Sequence, residues 1–203
     1  MTSMLAGLGA ACGGASAGRG PTARPDLYAC EGCEAVAERD PASLTWETRI
    51  APAAEPGEPM RIEGRVLQAD GRTPAPNVVI YAHQTNAEGL YANGTDESEW
   101  SRRNGRLRGW VRTDPEGHYA FDTIKPAPYP DRTMPAHVHL MIGEAGRRPY
   151  YIDDIVFDGE FGVTPTYRKH QELRGGSGIV TLKRGPDGRW IAHRDIFLEI
   201  HPD

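Results

Sequence analysis

A chain of 203 residues with 38% hydrophobic content is long enough for one domain with a real core. Its net charge of -5 comes without a basic block, which argues against a nucleic-acid partner. No run approaches the roughly 18 apolar residues of a membrane helix, so no transmembrane segment is expected, and Gly 24 with Pro 17 favours short strands and turns.

Residues 1–20 read as a processing segment. A short apolar stretch over 5–11 precedes Ala15-Ser16-Ala17, an A-x-A site, although no Lys or Arg stands ahead of it. Cys12 follows Leu8-Gly9-Ala10-Ala11, in the manner of a bacterial lipid-attachment site. These features set an expectation of export: periplasmic, secreted or lipid-anchored at Cys12. The plainer alternative is a disordered Gly/Ala-rich leader. Residues 21–58, rich in Pro, Ala, Glu and Gly, have no long period and predict an extended arm. The arm holds Cys30-Glu31-Gly32-Cys33. Two thiolates fall short of the four ligands of a structural zinc, and a thioredoxin-like role needs a βαβ pattern that the sequence lacks. In an exported chain the pair is expected to form a local disulfide.

Regular patterning starts near Met60, and residues 59–203 are expected to form the domain. Residues 61–67 alternate as a strand does, 69–74 read as a turn, and 77–83 form a β-branched second strand. A helical turn is expected over 97–104. Residues 108–113 run through Asp114-Pro115-Glu116-Gly117 into 118–121, which reads as a hairpin. Further strands are expected over 136–142, 149–153, 178–182 and 190–200, and the Gly-rich stretch 174–178 reads as a flexible loop. The spacing predicts an all-β fold: a β-sandwich of mixed short strands with long loops and an irregular N-terminal arm.

The chemistry concentrates in Tyr91, Tyr129, His137 and His139. His137 and His139 are two apart, so a strand turns both imidazoles to one face. Imidazole suits iron, copper, nickel and zinc. Phenolate is a rarer, hard, anionic donor known from haem iron sites. Two His with two Tyr phenolates leave a trivalent metal one net positive charge, which suits ferric iron better than zinc. Taken singly, each residue also has an ordinary structural role: HxH on a solvated strand face, or a tyrosine packed at a corner with a bonded hydroxyl.

The flanking sequence adds to these four positions. The run from Arg108-Gly109-Trp110 to Lys125-Pro126-Ala127-Pro128-Tyr129-Pro130, followed by Pro135-Ala136-His137-Val138-His139, resembles the core of the intradiol ring-cleavage dioxygenases. That family includes catechol 1,2-dioxygenases and protocatechuate 3,4-dioxygenases. The resemblance covers roughly residues 60–160. It implies a β-sandwich holding non-haem Fe(III), with Tyr91 and His137 as equatorial ligands and Tyr129 and His139 as axial ones. It further implies a small aromatic diol and O2 as substrates, ring opening between the hydroxylated carbons to a muconate-type diacid, and Tyr129 as a base when the diol arrives.

The chain also departs from the family. Met134 stands where the family usually has Arg, with Arg132 two residues earlier as the substitute, and slow turnover is expected. Asp153-Asp154-Ile155-Val156-Phe157 replaces a Thr-Gln-x-Tyr-Phe stretch, so the usual glutamine is missing. The helical dimerisation segment of catechol dioxygenases has no counterpart, and self-association into a homo-oligomer stays open. Two other readings compete. In a cupin, His137-x-His139 followed by Glu144 forms half of a metal motif. In a transthyretin-like sandwich the strands serve binding alone, without a metal.

Overall fold

The computed structural model describes residues 22–95 and 98–202. The expected processing segment with Cys12 therefore lies outside the described residues. In chain order the elements are β1 (Glu47–Arg49), β2 (Pro59–Leu67), β3 (Val79–Gln84), α1 (Glu99–Asn104), β4 (Arg108–Arg112), β5 (His118–Ile124), β6 (His137–Gly143), β7 (Tyr150–Phe157), α2 (Pro165–Lys169), β8 (Ile179–Val180), β9 (Lys183–Arg184), β10 (Trp190–His193) and β11 (Ile196–Phe197).

Among the described residues the strands form two sheets. The first runs β1-β5-β2-β10-β9, with β11 also on β2, and the second runs β4-β3-β6-β7-β8. Antiparallel pairs dominate, but β1 on β5, β10 and β11 on β2, and β8 on β7 are parallel. The sandwich arises from period-two patterning. Along β2, Met60, Ile62 and Val66 turn inward while Arg61, Glu63 and Arg65 stay outside. From the facing sheet come Ile80, Ala82, Val138, Leu140, Ile142, Ile152 and Ile155, and together these side chains make the core.

The second sheet also has a buried outer face. Tyr81, Trp110, Val79 and Met141 pack there against Cys33, Ala35 and Val36 of the arm. The Trp110 indole donates to the Ala35 carbonyl at 2.9 Å, and Arg108 pairs with Glu38. The arm is therefore not loose, and a 3-10 turn over Cys33–Glu38 presents its apolar side to the sheet. Cys30 and Cys33 are joined as a disulfide at the start of that turn, with their Cα atoms 5.8 Å apart.

Four expectations need correction. The run through Asp114–Gly117 is not a hairpin, because β4 pairs with β3 in one sheet and β5 with β2 in the other. The same turn residues serve an arch between sheets, with Asp114 accepting from the Glu116 and His118 backbone. Strand β7 does not stop at Asp153 but continues to Phe157. The expected long last strand breaks at Arg194 and Asp195 into β10 and β11, because the buried Arg194 side chain turns in to backbone carbonyls of Asp153 and Arg174. Finally, the stretch at 174–178 is pinned rather than free: Arg174 is fully buried, pairs with Asp26 and Glu172, and the Gly175 N–H donates to Glu199. Helix α1 matches its expected place, started by a Ser98–Ser101 capping box.

Candidate metal centre

Three neighbouring pieces of chain deliver the four singled-out side chains. His137 and His139 alternate with buried Val138 and Leu140 along β6, so both imidazoles leave the core on the outer side of the second sheet. Tyr91 ends a tight turn after β3. There the Asn86 carboxamide accepts from the Glu88 and Leu90 N–H groups, and the Asn86 carbonyl accepts from Ala127. Tyr129 sits in the Pro-rich connection that Ala127 belongs to. Two glycines allow the approach. Gly89, at φ 79°, would put a Cβ 2.1 Å from the Pro128 carbonyl oxygen, and Gly105, at φ 72°, would put one 3.0 Å from the Tyr91 Cα. Any side chain at either place would push the tyrosines off the site.

The result is a closed ring of four donor atoms. Tyr91 Oη lies 3.0 Å from Tyr129 Oη, which lies 3.2 Å from His137 Nε2. His137 Nε2 lies 3.1 Å from His139 Nε2, which lies 2.9 Å from Tyr91 Oη. The far sides of the imidazoles fix their protons. His137 Nδ1 is 2.7 Å from the Pro135 carbonyl, which only accepts, so Nδ1 carries the proton and Nε2 turns a lone pair into the ring. His139 Nδ1 is 2.9 Å from the Asp154 carboxylate, with the same consequence.

Proton bookkeeping shows that this ring fits a cation. Four close contacts share two phenol protons, and the edge between the two Nε2 atoms joins two acceptors with no proton at all. One cation among the four atoms satisfies every edge at once. Edges near 3 Å are also what neighbouring ligands make when each lies about 2.0–2.2 Å from one ion. Without a cation, burial disfavours charge on Tyr91 and His137. Burial first, and then the Tyr129 hydroxyl and Asp154 charge, push the Tyr91 phenol far up. Burial, and secondarily His139, hold His137 below the ordinary imidazole value. A bound cation reverses the balance for the phenols, since it stabilises the phenolate.

Two residues that sequence reasoning missed complete the site. His83 on β3 pairs across from His139 and stacks on its ring at 4.4 Å and 29°. It is buried, its Nδ1 has no hydrogen-bond partner among the described residues, and burial, with His139 and His137, drives its pKa well down. Asp154 on β7 is the other, in the Asp153–Phe157 stretch that lacks the glutamine usual in the resembled family. The signal that marks His83 is parity alone: it shares a face with Tyr81 and, through the β3–β6 register, with His139.

The remaining expected residues fall elsewhere. The Arg132 guanidinium stacks on Phe161 at 4.2 Å from the ring centroid, while its backbone N–H donates to the Tyr129 carbonyl at 2.8 Å. Met134 is 38% exposed beside this stretch. Glu144, required by the cupin reading, bonds Tyr150 at 2.8 Å and His201 at 3.0 Å and is spent in that cluster. Beside His139 and Asp154 opens a cavity of about 490 Å³, lined also by His83, Tyr151, Tyr167 and the Cys30–Gly32 stretch of the arm.

A family model described as Dioxygenase matches residues 37–166, which takes in all four donors and Asp154. The chain is 30% identical over 167 residues to a hydroxyquinol 1,2-dioxygenase of Nocardioides simplex, covering 70% of this chain and 55% of the relative. It is 35% identical over 92 residues to the protocatechuate 3,4-dioxygenase beta chain of Burkholderia cepacia, covering 42% and 39%. The chain thus spans about half the length of the curated relatives it matches. Among solved structures, the dioxygenase domain of a dioxygenase carbohydrate-binding fusion from Streptomyces sp. SirexAA-E superposes with a TM-score of 0.58 at 20% identity, over 78% of this chain and 90% of that one. Catechol 1,2-dioxygenase from Acinetobacter sp. ADP1 gives 0.55 at 20% identity, over 76% and 57%, and both likenesses concern the fold. With two packed sheets, the clustered Tyr and His side chains and the family match over most of the sandwich, the chain belongs to the intradiol ring-cleavage dioxygenases.

Proposed function

We propose that this chain binds one non-haem ferric iron through Tyr91, Tyr129, His137 and His139. With it the chain cleaves catechol-type rings between the two hydroxylated carbons. The observation that carries the reading is the proton-poor ring of two phenol oxygens and two imidazole nitrogens, each about 3 Å from the next. A sandwich used for binding alone has no use for two acceptor nitrogens facing each other.

When bound, ferric iron supplies the Lewis acidity that favours the diol as an anion and the redox partner that lets its ring react with O2. The chain's own residues do the rest. His137 and His139 stay fixed, because their outer nitrogens are held by Pro135 and Asp154. Tyr91, whose turn is tied by the Asn86 carboxamide, would remain a ligand. Tyr129, in the Pro-rich connection where its carbonyl accepts from the Arg132 N–H, is the phenol we assign as the one that would give way to the diol. With its oxygen free, Tyr129 would be the base that takes a proton from the incoming diol at Oη. Arg132 is the cation we assign to charge developing on the ring. It must first leave Phe161, and an exposed cation–π contact costs only about 0.5–1 kcal/mol to break. Both oxygen atoms of O2 end in the two carboxylates of a muconate-type product.

The test is product formation. Iron-loaded protein is mixed with catechol, hydroxyquinol and protocatechuate under air, and ring-opened diacids are followed by mass spectrometry with labelled O2. The reading expects both labels in one product from at least one diol. Binding without any ring opening would leave an iron site but remove the enzyme.

A further inference from the structure

The two imidazoles of the donor ring are not equivalent, and the difference is built into the backbone. His137 donates its outer N–H to a neutral carbonyl at 2.7 Å, whereas His139 faces a carboxylate at 2.9 Å. The carboxylate arrives through a bulge. In the β6–β7 register Val138 faces Ile155 and Leu140 faces Ile152, so Asp153 and Asp154 together oppose His139 alone. Strict alternation from the inward Ile152 would turn Asp154 into the core and Ile155 out of it. The extra residue keeps Ile155 fully buried and leaves Asp154 on the outer side against His139.

The two acids then divide the work. The Asp153 carboxylate accepts from the Leu173 and Arg174 backbone N–H groups, 2.9 Å and 3.2 Å away, and ties down the following loop. Asp154 keeps its charge for the imidazole. The bulge is also buttressed: a Cβ on Gly178 would lie 2.0 Å from the Asp154 carbonyl oxygen, so only glycine lets the chain pass there.

We propose that Asp154 is a positioning residue that makes His139 the stronger donor of the pair and biases the bound ion toward its higher charge state. This rests on the donor ring holding iron, as argued above. The chemistry is that of a carboxylate–histidine–metal triad. The carboxylate fixes the tautomer and draws the Nδ1 proton toward itself, so electron density rises at Nε2. A trivalent ion gains more from that density than a divalent one. The His83 ring stacked on His139 keeps the imidazole from swinging away from the carboxylate.

Asp154→Asn separates charge from shape. Its amide oxygen still accepts from Nδ1–H, but the negative charge is gone. Loss of such a partner typically weakens metal binding about 10–100-fold. Ferric binding should weaken more than ferrous, and each tenfold change in that ratio raises the reduction potential by about 59 mV. The visible phenolate-to-iron band should move with it. Asp154→Glu, which keeps the charge, should lie nearer the wild type in both readouts. A potential and band unchanged in Asp154→Asn would overturn the proposal, as would a Glu variant that behaves like Asn. If the wild type takes up no iron, the site reading fails and the inference with it. Should Asp154→Asn not fold, ring-nitrogen NMR of the metal-free wild type decides: a proton on Nδ1 of His139 supports the triad, and a proton on Nε2 refutes it.

Discussion

The two faces of β6 differ in how they are held together. Val138, Leu140 and Ile142 look inward and are 0%, 1% and 0% exposed, each packed among several apolar neighbours without direction. His137 and His139 look outward, and each ring nitrogen depends on one or two definite atoms. Packing of the first kind tolerates substitution when volume is kept, while a polar constellation fails when one partner goes. A slip of one residue in register would exchange the two faces entirely. The bulge in β7 shows the chain meeting both demands at one place.

That contrast can be broken from either side. His137→Ala or His139→Ala should reduce iron to background by metal analysis, yet leave the melting curve of the metal-free protein nearly unchanged. Tyr129→Phe should still bind iron and a catechol. It lacks the internal base, and turnover should fall by about 10²- to 10⁴-fold in a steady-state assay. Leu140→Ala acts on the other face. It should cost about 2–5 kcal/mol in urea unfolding, with one iron per folded molecule retained. Cys30→Ser removes a short cross-link worth about 2 kcal/mol by the loop-entropy argument and should leave iron content intact. Mass spectrometry without reductant should find Cys30 and Cys33 joined in the parent protein.

The smallest effect sharpens the comparison through pH. Burial holds His83 and His137 below the ordinary imidazole value, so the unfolded chain binds protons first as pH falls. Stability of the metal-free protein should be complete above about 6.5, the unfolded value, and decline below it. His83→Phe should flatten that decline, as urea midpoints on either side of that pH would show.

Much of this was legible in the chain because strands and ligands share period two. The alternation in 61–67 marked β2, and His137-x-His139 on a strand put both rings on one face without knowledge of the fold. The two tyrosines were legible only through the resemblance of their flanking sequence to the family, because a Tyr beside Gly or Pro taken alone reads as a corner packer. What escaped depended on pairing across strands. The turn at Asp114–Gly117 suits a hairpin or an arch equally, and only the partners of β4 and β5 distinguish them. Asp153-Asp154 broke the alternation and looked like the end of a strand, whereas it is a bulge held by Gly178 from behind. Arg174 stands in a Gly-rich stretch that reads as a flexible loop. Its burial required Asp26, some 148 residues away in sequence, as a partner.

The central claim is that one ferric ion sits among Tyr91, Tyr129, His137 and His139, and visible absorption of the iron-grown protein tests it most directly. The account predicts a coloured protein with one iron per chain, a band from phenolate-to-iron charge transfer, and a shift of that band when catechol is added without O2. A colourless protein that carries zinc or no metal after growth with iron would contradict it.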